Sequence, residues 1–332
     1  MSELKVFRNN SLFRRVLGIM LVIMIMIMIT ILLTASHRDN NEICNIAIMD
    51  TTAKFNDYNI CRYLWMNDME DFDGEDNDRN GYIDDIVGYD FARDNGSVFL
   101  ESAGSGHATS CIQIMVNSWS DSFYNPNIKC MILPVMKVNN GSTSGNCIDV
   151  ISAIKYAESH HVKICNMSFS TEVYNKQLYH TMKKSNMLFV VSAGNGKFQG
   201  VDIDVSPVFP ASWNLKNMIV VANADDTIYH HLAFDSNYGK KTVDIAANGE
   251  FYVSFNNRTL KVSGTSYSAA AVSGEAAKIA AFHPKYSSAE IKRALVAGCE
   301  TSRYLQSMVN NGNYLPIKHA ANANDITYKE VR

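Results

Sequence analysis

A serine in a run of small residues is the first candidate for chemistry. Ser266 follows a strand-like segment, residues 259–262, and a small-residue turn, residues 263–265, and it precedes a stretch of alanine, serine and glycine typical of a closely packed helix. The unpaired N–H groups at a helix N-terminus favour negative charge, which an acyl-transfer nucleophile needs beside it. A buried alanine-rich helix with an N-cap serine explains the stretch about equally well.

Three further polar residues stand where strands end or helices begin. Asp50 ends an apolar, strand-like segment, His107 follows a glycine-rich approach and heads a predicted helix, and Asn195 follows another apolar segment. A serine hydroxyl needs a base, a histidine supplies one, and an aspartate fixes its tautomer, while an asparagine amide can hold an oxyanion. Taken singly, the aspartate also fits an ordinary strand end or helix cap, and the histidine a structural or exposed position.

The segments around these residues alternate between strand and helix patterns. Short apolar runs predict strands, and apolar residues at helical spacing predict helices. The predicted strands cover 44–49, 131–138, 163–169, 187–193, 218–222, 243–247 and 259–262, and the predicted helices cover 108–116, 148–160, 173–184 and 287–297, besides the helix after Ser266. Strands alternating with helices imply an α/β fold with a mostly parallel, doubly wound sheet. Residues 309–325 are asparagine-rich without periodicity and predict a loose tail.

The order of the candidates along the chain points to one family. Asp50, His107 and Ser266 follow one another in the order known for subtilisin, and the Gly-Thr-Ser-Tyr-Ser sequence around Ser266 is not the G-x-S-x-G elbow of lipases and esterases. Over residues 43–300 the chain resembles the subtilisin-like serine peptidases, the subtilases. Segments similar to that family's motifs stand at 46–50, 106–109, 164–169, 192–195, 237–239, 243–247 and 264–266. The resemblance implies a three-layer αβα subtilisin-like fold.

The same resemblance implies hydrolysis of peptide bonds, without a cofactor for the chemistry. Ser266 would attack the scissile carbonyl, and His107 would take the proton and later return it. Asp50 would orient His107, and Asn195 together with the backbone N–H of Ser266 would hold the oxyanion. The substrate would be a protein or peptide, cut within its chain.

An extended substrate would lie between a strand end and the loop 139–145, held by backbone hydrogen bonds. The residues expected to bind it are Ser168, Phe169, Ser170 and Gly194. Five positions depart from the family's motifs: Ala108, Ser110, Ser170, Asn248 and Ala270. None removes a catalytic group, but they keep open a second hypothesis, a catalytically weak or inactive subtilase-fold protein that binds an extended peptide or a partner.

An acidic stretch, residues 67–90, contains a pattern that suits a hard cation. Asp76, Asp78, Asn80 and Asp84 alternate around a turn glycine as oxygen donors do in an EF-hand-type loop, and the segment resembles calcium-bearing insertions of some subtilases. Val87 occupies the twelfth position in place of a bidentate glutamate, so a full EF-hand is not supported. We predict a structural Ca²⁺ site, with a solvated acidic loop as the alternative.

The N-terminal region carries a different signal. Residues 16–34 contain no charged side chain and are long enough to cross a bilayer as a helix. Because basic residues precede this segment, we predict a single-pass signal-anchor with the rest of the chain outside the cytoplasm; cleavage near Ala35 and secretion is the alternative. The linker that follows is too short for the family's inhibitory propeptide, so none is evident.

These signals give an expected domain organisation along the 332 residues. We predict a cytoplasmic basic N-terminus (1–15), a transmembrane segment (16–34), a linker (35–43), a peptidase domain (44–305) and a C-terminal tail (306–332). The net charge of −3 gives no reason to expect nucleic acid. Seven cysteines cannot all pair, and no C-x-x-C spacing is present, so we expect mostly buried free thiols.

Overall fold

The computed structural model describes residues 43–54, 58–99, 106–120, 127–255 and 258–317. All of them belong to the unit that begins at Ile43, and the unit from Met1 to Glu42 lies outside them. The predicted membrane segment, residues 16–34, therefore falls outside the described residues. Among the residues described, no helix has both the length and the apolar character needed to cross a membrane.

The described residues form strands and helices that alternate along most of the chain. The strands are β1 (Cys44–Asp50), β2 (Ile128–Pro134), β3 (Met136–Asn139), β4 (Ser142–Gly145), β5 (Ile164–Met167), β6 (Leu188–Ser192), β7 (Met218–Asn223), β8 (Ile245–Ala247), β9 (Glu250–Phe255), β10 (Arg258–Ser263), β11 (Glu300–Thr301) and β12 (Asn313–Leu315). The α-helices are α1 (Tyr58–Cys61), α2 (Gly106–Ser120), α3 (Cys147–Ser159), α4 (Lys176–Lys184), α5 (Thr265–Phe282) and α6 (Ser288–Ala297), with short 3₁₀ turns at Ala211–Trp213 and Asn310–Gly312.

Eight strands form the central sheet in the order β2-β1-β5-β6-β7-β8-β12-β11. Every neighbouring pair from β2 to β12 is parallel, and only β11 runs antiparallel to its neighbour. Side chains of β1 alternate between two cores, with Ile46 and Ile48 on one face and Ala47 and Met49 on the other. Helices α2, α5 and α6 cover the first core and α3 and α4 the second, which confirms the predicted αβα layers.

Two predicted segments pair differently from the expectation. Strand β10 pairs antiparallel with β9 in a separate hairpin and is not part of the central sheet. The strand predicted over 131–138 breaks after Pro134, which has no N–H to donate. Val135 instead donates its N–H to the carbonyl of Asp50 at 2.8 Å. The end of the predicted strand becomes β3, which pairs in a hairpin with β4, a strand within the predicted loop 139–145.

The C-terminal part of the domain extends further than predicted. β12 pairs in parallel with β8, and the side chain of Tyr314 is fully buried and stacks on His230 with ring centroids 3.7 Å apart. The prediction of a loose tail is therefore wrong for residues 309–317, and the sheet continues past the predicted domain end at residue 305. A strand of three residues is too short to produce a periodic pattern.

Small residues let α2 and α5 pack closely together. Ala269 and Ala270 are fully buried in α5, and Trp119 of α2 donates its indole N–H to the carbonyl of Gly274 at 3.1 Å. A Cβ at Gly274 would clash with the side chain of Ser118, so a larger residue there would separate the helices. This contact fixes the relative position of the two helices, whose second residues are His107 and Ser266.

Candidate active site

The carboxyl end of β1 carries a buried acid paired with an imidazole. Asp50 is 1% exposed, and its Oδ1 accepts the N–H of Thr51 at 2.6 Å. Nδ1 of His107 lies 2.9 Å from Oδ1 and 2.8 Å from Oδ2 of that carboxylate. Because Nδ1–H donates to the acid, the ring orientation is fixed and Nε2 is left as the acceptor.

The charge of Asp50 controls the protonation of His107. Its negative charge raises the pKa of His107 above the ordinary value of 6.5, and the hydrogen bond acts in the same direction, while burial lowers it. The histidine side chain nevertheless keeps 35% of its surface exposed, so the ring is accessible from solvent. The pair therefore has the properties of a general base at neutral to alkaline pH.

Ser266 lies near His107, and the region around Asp50, His107 and Ser266 is called the cleft below. The hydroxyl of Ser266 is turned toward a neighbouring strand end. Its Oγ donates to the carbonyl of Ser168 at 3.2 Å, and the hydroxyl of Ser168 donates back to the carbonyl of Ser266 at 3.0 Å. In the described part of the chain no hydrogen bond joins Ser266 to His107. The His107 ring is 5.6 Å from that of Tyr267, and Sγ of Cys111, one turn beyond His107, is 4.0 Å from the carbonyl of Ser266.

An exposed amide stands at the start of α5. Oδ1 of Asn195 accepts the backbone N–H of Thr265 at 3.1 Å and its hydroxyl at 2.6 Å, so the Nδ2 donors are left for another partner. Two glycines leave room for the side-chain amides around this contact. Gly264 has φ +152°, and a Cβ there would lie 2.9 Å from Nδ2 of Asn195; Gly194 has φ +87°, and a Cβ there would lie 2.8 Å from Nδ2 of Asn237.

The predicted substrate-binding residues follow the end of β5. Ser168 is buried, Phe169 is half-buried and Ser170 is exposed, so the segment emerges from the core as it passes the carbonyl that Ser266 contacts. A cavity of about 430 Å³ lies between this segment and the β3–β4 hairpin. Its apolar walls include Phe169, Val150, Leu178, Phe209 and Trp213.

Three carboxylates converge in the acidic segment, and one of them was not predicted. Glu70, Asp76 and Asp78 each place an oxygen within 4.8 Å of the others. Glu70 is only 7% exposed; its Oε1 accepts the N–H of Asp78 at 2.9 Å, but its buried Oε2 has no partner among the described residues. Glu70 lies six residues before Asp76, outside the alternating loop pattern, so the spacing gave no signal for it.

Two of the predicted metal ligands have other roles in the structure. Oδ1 of Asp84 accepts the N–H groups of Asp73 and Gly74 at 3.1 and 2.9 Å, so this carboxylate caps a turn and is not part of the cluster. Asn80 uses its side-chain oxygen for the N–H of Tyr82, at 2.8 Å, and donates its amide to Asp78 at 3.1 Å. Asp84 is therefore outside the group of three carboxylates, and Asn80 contacts that group through its amide donor.

Comparisons with known proteins agree with the fold. The model of the Subtilase family matches residues 45–313. Subtilisin-like protease 1 of Plasmodium berghei is 25% identical over 309 residues, covering 87% of this chain and 51% of that protein. The Plasmodium falciparum (isolate 3D7) protein of the same name is 24% identical, covering 83% and 43%. The chain thus spans about half the length of these relatives.

Solved structures share the fold. A cold-adapted subtilisin-like serine proteinase superposes with a TM-score of 0.59 at 17% identity, covering 84% of this chain and 90% of that one. A structure described for the assembly of subtilase cytotoxin SubAB gives 0.57 at 21% identity, covering 83% and 88%. The chain therefore belongs to the subtilase family of subtilisin-like serine peptidases.

Proposed function

We propose that this chain is a serine endopeptidase that cleaves peptide bonds through an acyl-enzyme formed on Ser266. The observation that supports this most strongly is the contact of both Asp50 oxygens with Nδ1 of His107, at 2.9 and 2.8 Å, beside the start of α5. An imidazole held in this way leaves Nε2 able to accept a proton. The hydroxyl of Ser266 is the donor placed in the same cleft.

The reaction would begin with a rotation of the Ser266 side chain. Its hydroxyl donates to the carbonyl of Ser168 at 3.2 Å, a weak bond that a substrate strand can replace when it pairs with the same segment. Turned toward His107, the hydroxyl gives its proton to Nε2 as Oγ attacks the scissile carbonyl. The imidazolium, stabilised by Asp50, then protonates the leaving amine, and water releases the acyl group by the reverse sequence.

The oxyanion would be held by two donors. Asn195 offers Nδ2 because its Oδ1 is occupied by Thr265, and the backbone N–H of Ser266 belongs to the first turn of α5, where N–H groups have no intrahelical acceptor. The macrodipole of α5 favours negative charge at the same place. Such preorganised donors stabilise the tetrahedral intermediate without reorganisation during the reaction.

The substitutions in the family motifs leave this machinery in place. Ser110 turns its hydroxyl to the carbonyl of Gly106 at 2.8 Å within α2, and Ala108 is fully buried in the core. Ala270 is likewise fully buried within α5, where its small size suits the close packing against α2. The contacts of these three departures involve none of the reacting groups, which favours the peptidase over the competing hypothesis of an inactive protein that binds an extended peptide.

The cavity beside Phe169 suggests a preference in the substrate. An extended peptide paired with residues 168–170 presents alternate side chains to the same face, so a residue a few positions before the scissile bond would reach the cavity. Walls that include Leu178, Phe209 and Trp213, and a volume of about 430 Å³, suit a large apolar side chain. A peptide library varied at the four positions before the scissile bond would measure this preference.

We also propose that residues 16–34 hold the peptidase in a membrane with the catalytic domain on the extracytoplasmic side. The support is the sequence: an uncharged span preceded by basic residues. Secretion after cleavage near Ala35 is the alternative. Alkaline extraction of membranes distinguishes the two, because an anchored chain stays in the pellet, whereas a secreted product is soluble and has a new N-terminus.

A structural Ca²⁺ is proposed for the acidic segment, with Glu70, Asp76 and Asp78 as its protein ligands. Three carboxylates whose oxygens lie within 4.8 Å repel one another, and within the described residues no lysine or arginine forms an ion pair with them. The orphaned Oε2 of Glu70 is a buried acceptor that a hard cation would satisfy. The ion would act on stability and would take no part in the chemistry.

Labelling with a fluorophosphonate probe tests the peptidase function. The full chain should be labelled, Ser266→Ala should not be, and Ser263→Ala, which changes an exposed serine three residues away, should be labelled as well as wild type. Circular dichroism and a melting curve establish that each variant is folded. A folded wild type that is not labelled but binds peptides would favour the inactive binding protein.

A further inference from the structure

The outer surface of α3 and α4 contains a groove rich in lysine, called the lysine groove below. Its volume is about 630 Å³, and the ionisable residues that line it are Lys155 and Glu158 of α3 with Lys176, His180 and Lys184 of α4. The three lysines are exposed, and among the described residues none of them forms an ion pair with a carboxylate. The groove therefore holds a local excess of positive charge in a chain whose net charge is −3.

The lysine groove continues from the cavity beside Phe169. Both helices begin at that cavity, because Val150 in the first turn of α3 and Leu178 in the first turn of α4 are in its wall. α4 connects the carboxyl end of β5 to the amino end of β6, so the groove leads away from the edge of the sheet at which Ser266 lies. Lys184 ends α4, about 12 Å along the helix from its first residue.

We propose that the lysine groove is a second substrate-binding site, which takes an acidic segment of the substrate upstream of the residue that enters the cavity. The inference rests on the proposed peptidase function. When a large side chain fills the cavity, the substrate residues before it are directed away from Ser266, toward the groove. An extended chain advances about 3.3 Å per residue, so four residues span the roughly 12 Å between Lys176 and Lys184.

Charge complementarity defines the chemistry of that segment. A substrate carboxylate near each of the three lysines would form an ion pair that the described residues of the chain do not supply. Exposed pairs are weak, and each changes an equilibrium constant by a factor of about two, so three together give roughly tenfold. Because salt screens such pairs, the preference should be largest at low ionic strength, and a basic segment should be repelled.

Binding is measured first, on the Ser266→Ala chain, so that the result does not depend on hydrolysis. The probe is a fluorescein-labelled peptide of four glutamates, a phenylalanine for the cavity and three alanines, and the matched peptide has four glutamines. The glutamate peptide should bind roughly tenfold more tightly at low salt. The variant that adds Lys155→Gln, Lys176→Gln and Lys184→Gln should lose this advantage. Lys183→Gln should keep it, because Lys183 is exposed on α4 outside the groove.

Two results of the binding measurement would overturn the proposal. One is equal affinity for the two peptides, or an advantage that survives removal of the three lysines. The other is binding to phosphatidylglycerol vesicles that depends on the three lysines, without a preference between the peptides, which would assign the groove to a membrane surface.

Hydrolysis is then measured on the chain that retains Ser266, with both peptides extended past the third alanine. The glutamates should lower KM roughly tenfold with kcat unchanged, because the groove binds the ground state and the transition state alike. Four glutamates placed after the scissile bond should give no advantage, and an equal advantage there would overturn the upstream position. A chain that neither hydrolyses a peptide nor reacts with fluorophosphonate would refute the peptidase function, while the binding measurement would still decide whether the groove takes acidic peptides.

Discussion

The cleft around Ser266 and the acidic segment, residues 67–90, both contain buried carboxylates, but they balance negative charge in different ways. In the cleft, Asp50 contacts the imidazole of His107 with both oxygens and also accepts a backbone N–H. In the acidic segment, Glu70 faces two other carboxylates and keeps a buried oxygen without a partner among the described residues. The first region balances its negative charge with groups of the described residues, and the second is the region for which we propose a bound cation.

Because of this difference, we expect substitutions in the cleft to affect catalysis and substitutions in the acidic segment to affect stability. A change in the cleft alters groups that react, so it should change rates and leave the melting temperature nearly constant. A change at Glu70 alters a group that is far from the reaction along the chain and that anchors a loop, so it should change stability and its response to Ca²⁺. The buried Asp85 shows how the loop is attached, since it accepts the hydroxyl of Tyr156 in α3 at 2.6 Å.

The largest effect in this comparison is expected for Asp50→Asn. The substitution keeps the shape of the side chain but removes the charge that fixes the His107 tautomer, and kcat should fall by about 10⁴-fold. The exposed Asp68 provides the control, because Asp68→Asn should leave kcat unchanged. A melting temperature that falls sharply in Asp50→Asn would mean that the Asp50–His107 pair also stabilises the fold. The distinction between a catalytic region and a stabilising region would then be wrong.

The pH profile tests the same pair by a different measurement. His107 must be neutral to act as base, and Asp50 raises its pKa above 6.5, so kcat/KM of the wild type should rise through a pH range above that value. In Asp50→Asn the attraction that favours the imidazolium is lost. The rising limb of the residual activity should therefore move to lower pH. A limb at the same pH in both proteins would contradict the assignment of His107.

A smaller loss is expected for Asn195→Ala. Removing one oxyanion donor should lower kcat by about 10²–10³-fold with little change in KM, because the contact strengthens only as the carbonyl becomes tetrahedral. Steady-state kinetics on a peptide substrate measure both constants. An increase in KM with kcat unchanged would instead mean that Asn195 binds the substrate in its ground state.

The candidate site was predicted from the order of its residues and from the resemblance of their motifs to those of subtilases, and the positions of these residues at element boundaries agree with that prediction. Asp50, His107 and Ser266 each follow a strand or head a helix, and parallel strands bring their carboxyl ends to one edge of a sheet. The αβα layers follow from the alternation of predicted strands and helices along the chain. The hydrogen bond from Thr265 to Asn195 was not predictable, because it joins residues 70 positions apart through a side-chain orientation.

The errors have a common physical origin in short or irregular segments. β12 has three residues and β4 has four exposed ones, so neither produces a periodic apolar pattern. The sequence of β10 is typical of a strand, but it does not specify the pairing partner. In the structure β10 pairs with β9 in a hairpin and is not part of the central sheet. In the acidic segment, Glu70 joins the cluster through loop folding that no spacing rule describes, while Asp84, which fits the spacing, caps a turn.

The acidic segment should respond to Ca²⁺ removal through stability alone. At a free Ca²⁺ concentration about 100 times the dissociation constant, binding contributes about 2.7 kcal/mol to the free energy of unfolding. Chelation should then lower the melting temperature by roughly 5–10 °C for a domain of this size. In Glu70→Gln this response should shrink, whereas Glu75→Gln, an exposed neighbour outside the cluster, should keep it. Without Ca²⁺, Glu70→Gln should melt no lower than wild type, because one of the repelling charges is gone.

The smallest effect is expected at Thr265, which touches Asn195 but not the substrate. Thr265→Val removes the hydroxyl that donates to Oδ1 of Asn195 at 2.6 Å and leaves the backbone N–H bond at 3.1 Å. Losing one such bond costs about 1 kcal/mol, so kcat should fall roughly fivefold as the amide is held less firmly. Thr265→Ser keeps the hydroxyl and should restore kcat, which a purely steric role of the methyl group would not do. An unchanged kcat in Thr265→Val would show that the backbone bond alone orients the amide, and that the cleft depends less on side-chain partners than its contacts suggest.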